Sequence, residues 1–114
     1  MESIEHEIAK FAFLQTAASA IIEYVRAVSR DSEFHRYTEW MLEPDNWIVL
    51  RFSFRRGESI QITLGIPLQS LPDTTGLRTG RKWTTQGRIY VDHVTQLPTA
   101  FRCIEYAFYH TRNR

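Results

Sequence analysis

From Trp47 to Ile66 the chain alternates between core-forming and polar positions with a period of two. Ile48, Leu50, Phe52 and Phe54 interleave with Trp47, Val49, Arg51, Ser53 and Arg55, and Ile60, Ile62, Leu64 and Ile66 interleave with Ser59, Gln61, Thr63 and Gly65. This period predicts two half-buried strands joined as a hairpin. The core-forming set of both arms carries even numbers, so directly paired residues must have an even sum and the loop an odd length. A three-residue loop Arg55-Arg56-Gly57 meets that condition. It pairs Phe52 with Ile60, Leu50 with Ile62 and Ile48 with Leu64, and places Gly57 at the left-handed position of a type I turn with a G1 bulge. One sheet face is thereby committed to a core, while the other presents Arg51, Ser53, Gln61 and Thr63.

A helical period precedes the hairpin. Ile4, Ile8, Phe11, Ala18, Ile22 and Val25, widened by Leu14, Ile21 and Val28, predict one long helix from Ser3 to about Ser29. Ser3 suits its N-cap, Glu5 and Glu7 its first turn, and Arg26 and Arg30 its end. Residues 34–42 fit a strand through Tyr37, Thr38 and Trp40, followed by a turn at Glu43-Pro44-Asp45-Asn46. Residues 67–82 are rich in turn formers and predict a long loop. Strand character resumes from Trp83 to Val94, with Ile89 and Val91 on one face, Tyr90 and Asp92 on the other, and Gly87 marking a bulge. A closing helix starts near Pro98, its buried stripe formed by Phe101, Ile104 and Phe108 and its basic end by His110, Arg112 and Arg114. The expected fold is α+β: a three- to four-stranded antiparallel meander whose apolar face is covered by helices 3–29 and 98–111.

Composition narrows the class without naming a function. The chain has 114 residues, 43% hydrophobic and 24% charged, which suits a single globular domain and excludes a disordered chain. The lone Cys103 excludes an internal disulfide framework and, with an acidic start where a signal peptide would be basic, favours a cytoplasmic location. The longest uncharged stretch near the start, Phe11 to Ile22, is too short to span a membrane. Net charge is +1, but residues 1–50 sum to −5 and residues 51–114 to +6, and twelve of the fourteen cationic side chains are arginine. Arginine suits bidentate recognition of carboxylate or phosphate.

Enzyme signatures are weak, so the chain reads as a non-enzymatic protein without a cofactor. His6, His35, His93 and His110 belong to no metal-binding cluster, and Pro44-Asp45 and Pro72-Asp73 lack the acidic-x-Lys partner of metal-dependent nucleases. Cys103 reads as a small core residue, and Gly76-Leu-Arg-Thr-Gly80 lacks the phosphate-loop spacing. Arg30-Asp-Ser-Glu-Phe-His35 has the Arg-x4-His spacing of the small helical HEPN ribonucleases. That family carries the motif inside a helix, whereas here it meets strand-like residues, so no activity is carried over. The order of long helix, antiparallel sheet and closing helix is similar in layout to the YjbR-like proteins with their frataxin-like fold, a likeness that transfers no residues.

The arginines remain. Arg51, Arg55 and Arg56 on the hairpin, with Arg78, Arg81, Lys82 and Arg88 around the loop, are expected to form a basic surface with Trp47, Trp83 and Tyr90 as stacking platforms. Nucleic acid and an acidic protein surface both fit such a set. A second candidate surface is the uncharged flank Phe13, Ala17, Ala20 and Tyr24, suited to a homodimer or another protein contact, as in an inhibitor, adaptor or chaperone-like protein.

Overall fold

The fold was taken from a computed structural model that describes residues 3–112. It is α+β. Helices α1 (Ile4–Ile8) and α2 (Gln15–Val28) come first, then strands β1 (Glu33–Arg36), β2 (Trp40–Glu43), β3 (Ile48–Ser53) and β4 (Ser59–Leu64). A 3-10 turn at Leu68–Ser70 leads to β5 (Arg78–Lys82) and β6 (Gln86–Val91), and a second one at Val94–Gln96 leads to α3 (Leu97–Arg112). The strands form one sheet in the order β1-β2-β3-β4-β6-β5, with every neighbouring pair antiparallel.

The β3–β4 hairpin has the register that parity requires, pairing Phe52 with Ile60, Leu50 with Ile62 and Ile48 with Leu64. Its tip differs from the expected three-residue type I turn: the ladder closes at Ser53 and Ser59, leaving Phe54 to Glu58 outside it, and Arg56 (φ 59°) as well as Gly57 (φ 100°) is left-handed. The even-numbered residues of both strands join residues of all three helices in one buried cluster, so the helices share one face of the sheet. The opposite face, bearing Val49, Arg51, Gln61, Thr63, Arg88 and Tyr90, receives no described helix.

The expected long helix is broken. All of its apolar residues reach the core, with Val28 at the margin, but the chain leaves helical geometry between Ile8 and Gln15. The cause is distant in sequence. The Glu58 carboxylate, beside the hairpin tip, accepts the backbone N–H groups of Ala12 (2.5 Å), Phe13 (2.8 Å) and Leu14 (2.9 Å). Those donors would otherwise belong to a continuous helix. Leu14, the N-cap residue of α2, has no side-chain cap of its own, so Glu58 supplies the negative charge that a helix N-terminus favours. Arg26 then ties the pieces together, pairing with Glu5 of α1 and, at 3.0 Å, with Glu33 of β1.

Among the described residues the sheet has six strands rather than three or four. Residues 34–42 contain parts of both arms of a hairpin, in which Phe34 faces Leu42 and Arg36 faces Trp40. Within the expected 67–82 loop, Arg78-Thr-Gly-Arg-Lys82 is the edge strand β5. It is exposed on both faces and so lacks apolar alternation, and its charges suit an unpaired edge. Gly87 is no bulge. It pairs in register with Leu64 and Arg81, and its missing side chain lets the Leu68 backbone pass closely over β6.

Along α3 the most deeply buried line is Ala100, Cys103, Ile104 and Ala107, while Phe101 and Phe108 flank it. Small residues let α3 lie close to its neighbours, and the two aromatics seal its sides. Phe101 meets Tyr24 edge-on at 5.6 Å and Phe108 meets Trp47 at 5.2 Å. Arg112 closes the helix by pairing with Asp45; Arg114 of the expected basic end lies outside the described residues. No described helix is long and apolar enough to cross a membrane.

Candidate functional site

Alternation along β3 puts Arg51 and Ser53 on the open face, and the hairpin tip adds Arg55 and Arg56. From the other side β6 contributes Tyr90, and β5, paired Arg78 to Tyr90, contributes Arg78. These side chains surround one concavity of about 580 Å³, whose floor and wall include Ser59, Gln61, Glu58 and Asp92.

The arginines divide into two kinds. Arg78 is fixed: its guanidinium grips Asp92 through two hydrogen bonds (3.1 and 2.9 Å), donates to Ser59 Oγ at 3.1 Å and lies 4.0 Å from the Tyr90 ring centre. The Arg78 hydrogen bonds hold the Asp92 carboxyl below the ordinary carboxylate range, against the opposing effect of its partial desolvation. Arg51, Arg55 and Arg56 have no side-chain hydrogen bond or ion pair among the described residues. Three cations without a side-chain partner among the described residues thus border a concavity whose fourth is held by the fold.

The two carboxylates of the wall are already engaged. Desolvation raises the Glu58 pKa, but the three N–H groups at the start of α2 outweigh it and hold the carboxyl below its usual range. Asp92 is neutralised by Arg78. The concavity therefore presents net positive charge to a visitor. Its floor is hydrogen-bonded within itself: Tyr90 OH donates to Gln61 Oε1 at 3.3 Å, and Gln61 Nε2 donates to Glu39 Oε2 at 3.1 Å.

No known family model, curated protein or solved structure matches this chain. The chemistry of the face alone carries the functional reading.

The remaining residues of the expected basic surface are dispersed. Arg88 shares the open face but donates to Thr63 Oγ1 at 3.0 Å, and Lys82 sits at the far end of β5 from Arg78. Arg81 pairs with Gly87 and so projects from the helix-bearing side, because alternate strand residues face opposite ways. The stacking platforms do not assemble either. Trp47 is 3% exposed on the core side, its indole N–H donating to Ser29 Oγ at 2.9 Å; Trp83 is exposed at the β5–β6 turn, and Tyr90 is covered by Arg78.

Nor do Phe13, Ala17, Ala20 and Tyr24 make one open flank. Ala17 is buried and Tyr24 packs on Phe101, while Phe13, just before α2, is 79% exposed. His35 lies in β1, away from a helical Arg-x4-His geometry. Cys103 is fully buried, and burial pushes its thiol pKa up, away from nucleophilic use. The capping role of Glu58 was not legible in the sequence. Glu58 acts on a segment more than forty residues away, and no local pattern marks that contact.

Proposed function

We propose that the protein is a small non-enzymatic binding module that engages an anionic partner through the arginine-bearing face of its sheet. One observation carries this reading: Arg51, Arg55 and Arg56 meet at a single concavity without internal counterions, beside an arginine that the fold has already neutralised. Cations left unsatisfied on a common surface favour an anion that brings its own carboxylates or phosphates. Arg78, Asp92 and Ser59 act as the rigid side of the site, and the hairpin tip as its adaptable side. We place this binding in the cytoplasm, where Cys103 stays reduced.

Fluorescence anisotropy with labelled polyglutamate and with a single-stranded oligonucleotide, at low and high salt, tests the proposal. Affinity for one of the anions at low salt, falling as salt rises, is expected. Replacing Arg51, Arg55 and Arg56 together by Gln should remove most of it, whereas Arg81→Gln on the other face should change it little. Absence of binding at low salt, or equal loss from both variants, would refute the assignment.

A further inference from the structure

Beside the arginine concavity lies a second, apolar notch of about 420 Å³, lined by Phe13, Leu14, Val94 and His93 and sharing Glu58 and Asp92 with its neighbour. The notch is built from two side chains that the core does not use. Phe13 is 79% exposed and Val94 44% exposed, and they come from opposite ends of the chain. Both are held in place. The Phe13 backbone N–H is bound by Glu58 at 2.8 Å, and Val94 opens the 3-10 turn that His93 and Gln96 cap by reciprocal hydrogen bonds. An exposed aromatic on a fixed backbone loses little freedom when it is covered, which is the character of an interface anchor.

Resting on the proposed function, we infer that the anionic partner is an acidic polypeptide segment carrying a large apolar side chain. Its carboxylates meet Arg51, Arg55 and Arg56, and its apolar side chain seats between Phe13 and Val94. The charge of the concavity selects an acidic occupant, and the shared wall of Glu58 and Asp92 makes the two subsites contiguous. Those two carboxylates are bound by the α2 N–H groups and by Arg78, so they repel the partner's acids weakly. A polypeptide suits the face better than single-stranded nucleic acid, because among the described residues no ring stands open inside the arginine concavity for a base to stack on: Tyr90 lies under Arg78 and Trp47 is in the core. The exposed ring of the adjoining notch, Phe13, shares its lining with Val94 and Leu14, an apolar setting that suits a hydrophobic side chain.

The test uses three fluorescent probes with the full-length chain: a short Glu/Gly peptide with one central Phe, the same peptide with Ala in that position, and an oligothymidine. The Phe peptide should bind about tenfold more tightly than the Ala peptide, the scale of partly burying one aromatic side chain. Phe13→Ser and Val94→Ser, both at exposed positions, should erase that difference while leaving the Ala peptide's affinity unchanged; unaltered thermal melts would show that both variants fold. Equal, salt-sensitive binding of the two peptides would overturn the apolar subsite and leave the arginine-face reading standing. Binding of oligothymidine alone would overturn the polypeptide partner. Failure of all three probes at low salt would defeat the functional proposal itself.

Discussion

Gly87→Ala isolates the contact that holds the 67–71 segment against the strand carrying Arg88 and Tyr90. A Cβ at Gly87 would lie 2.8 Å from Leu68 Cα, 3.0 Å from Leu68 N and 3.3 Å from Ile66 O. All three neighbours are backbone, and the closest is about 0.6 Å short of ordinary contact. The segment is also tied down, since Gly87 N–H donates to Ile66 O at 2.7 Å. Overpacking of this kind costs about 1–3 kcal/mol, offset by roughly 0.5–1 kcal/mol from replacing a strand glycine by alanine. A net loss of about 1–2 kcal/mol is expected, which for a domain of this size lowers Tm by roughly 4–10 °C. Gly80→Ala on the adjoining strand is the matched control. Its Cβ would meet only side-chain atoms of Tyr90 and Arg88 at 3.7–3.9 Å, so it should be neutral or slightly stabilising. Urea unfolding of the two variants, with equal m-values, gives the comparison. Equal stability of Gly87→Ala and Gly80→Ala would refute the close-approach argument.

Three further outcomes follow from particular contacts. Ser29→Ala strands the Trp47 indole N–H in the core and should cost about 1–3 kcal/mol by urea unfolding; no measurable loss would contradict a buried, satisfied indole. Asp92 has a depressed folded-state pKa, so its bond to Arg78 adds stability that is present above the unfolded-state value near about 4 and is lost as pH falls through the folded value. The stability advantage of the wild type over Arg78→Gln should therefore hold steady above about pH 5 and shrink below about pH 4; an advantage that grows on acidification would contradict the pairing. Glu58→Gln should speed amide exchange at Ala12, Phe13 and Leu14 with little change at the centre of α3, and unchanged exchange there would show that Glu58 is not the cap of α2.

The sequence exposed those parts of the fold whose causes are local or periodic. The β3–β4 register was legible because a one-residue slip would turn Ile48, Leu50 and Phe52 out of the core. The core residues of α1 and α2 were legible for the same reason, whereas the break between them was not, because the Glu58 carboxylate competes for backbone donors from across the molecule. Strand β5 was hidden because an edge strand exposed on both faces has no apolar period, and its charges resemble those of a loop. At the site, Arg51, Arg55 and Arg56 followed from parity and turn position. The separation of Arg81 from Arg78 required the β5–β6 pairing, and the burial of Trp47 required the helix α3 that packs against it.

The most direct measurement is the NMR response of the arginine side-chain Nε–Hε groups as polyglutamate, and separately an oligonucleotide, is added. One of these anions should shift Arg51, Arg55 and Arg56 first and together, with Arg81 unmoved and the response lost at high salt. A uniform drift of all arginines, or a response led by Arg81 on the helix-bearing side, would contradict the open sheet face as the binding surface.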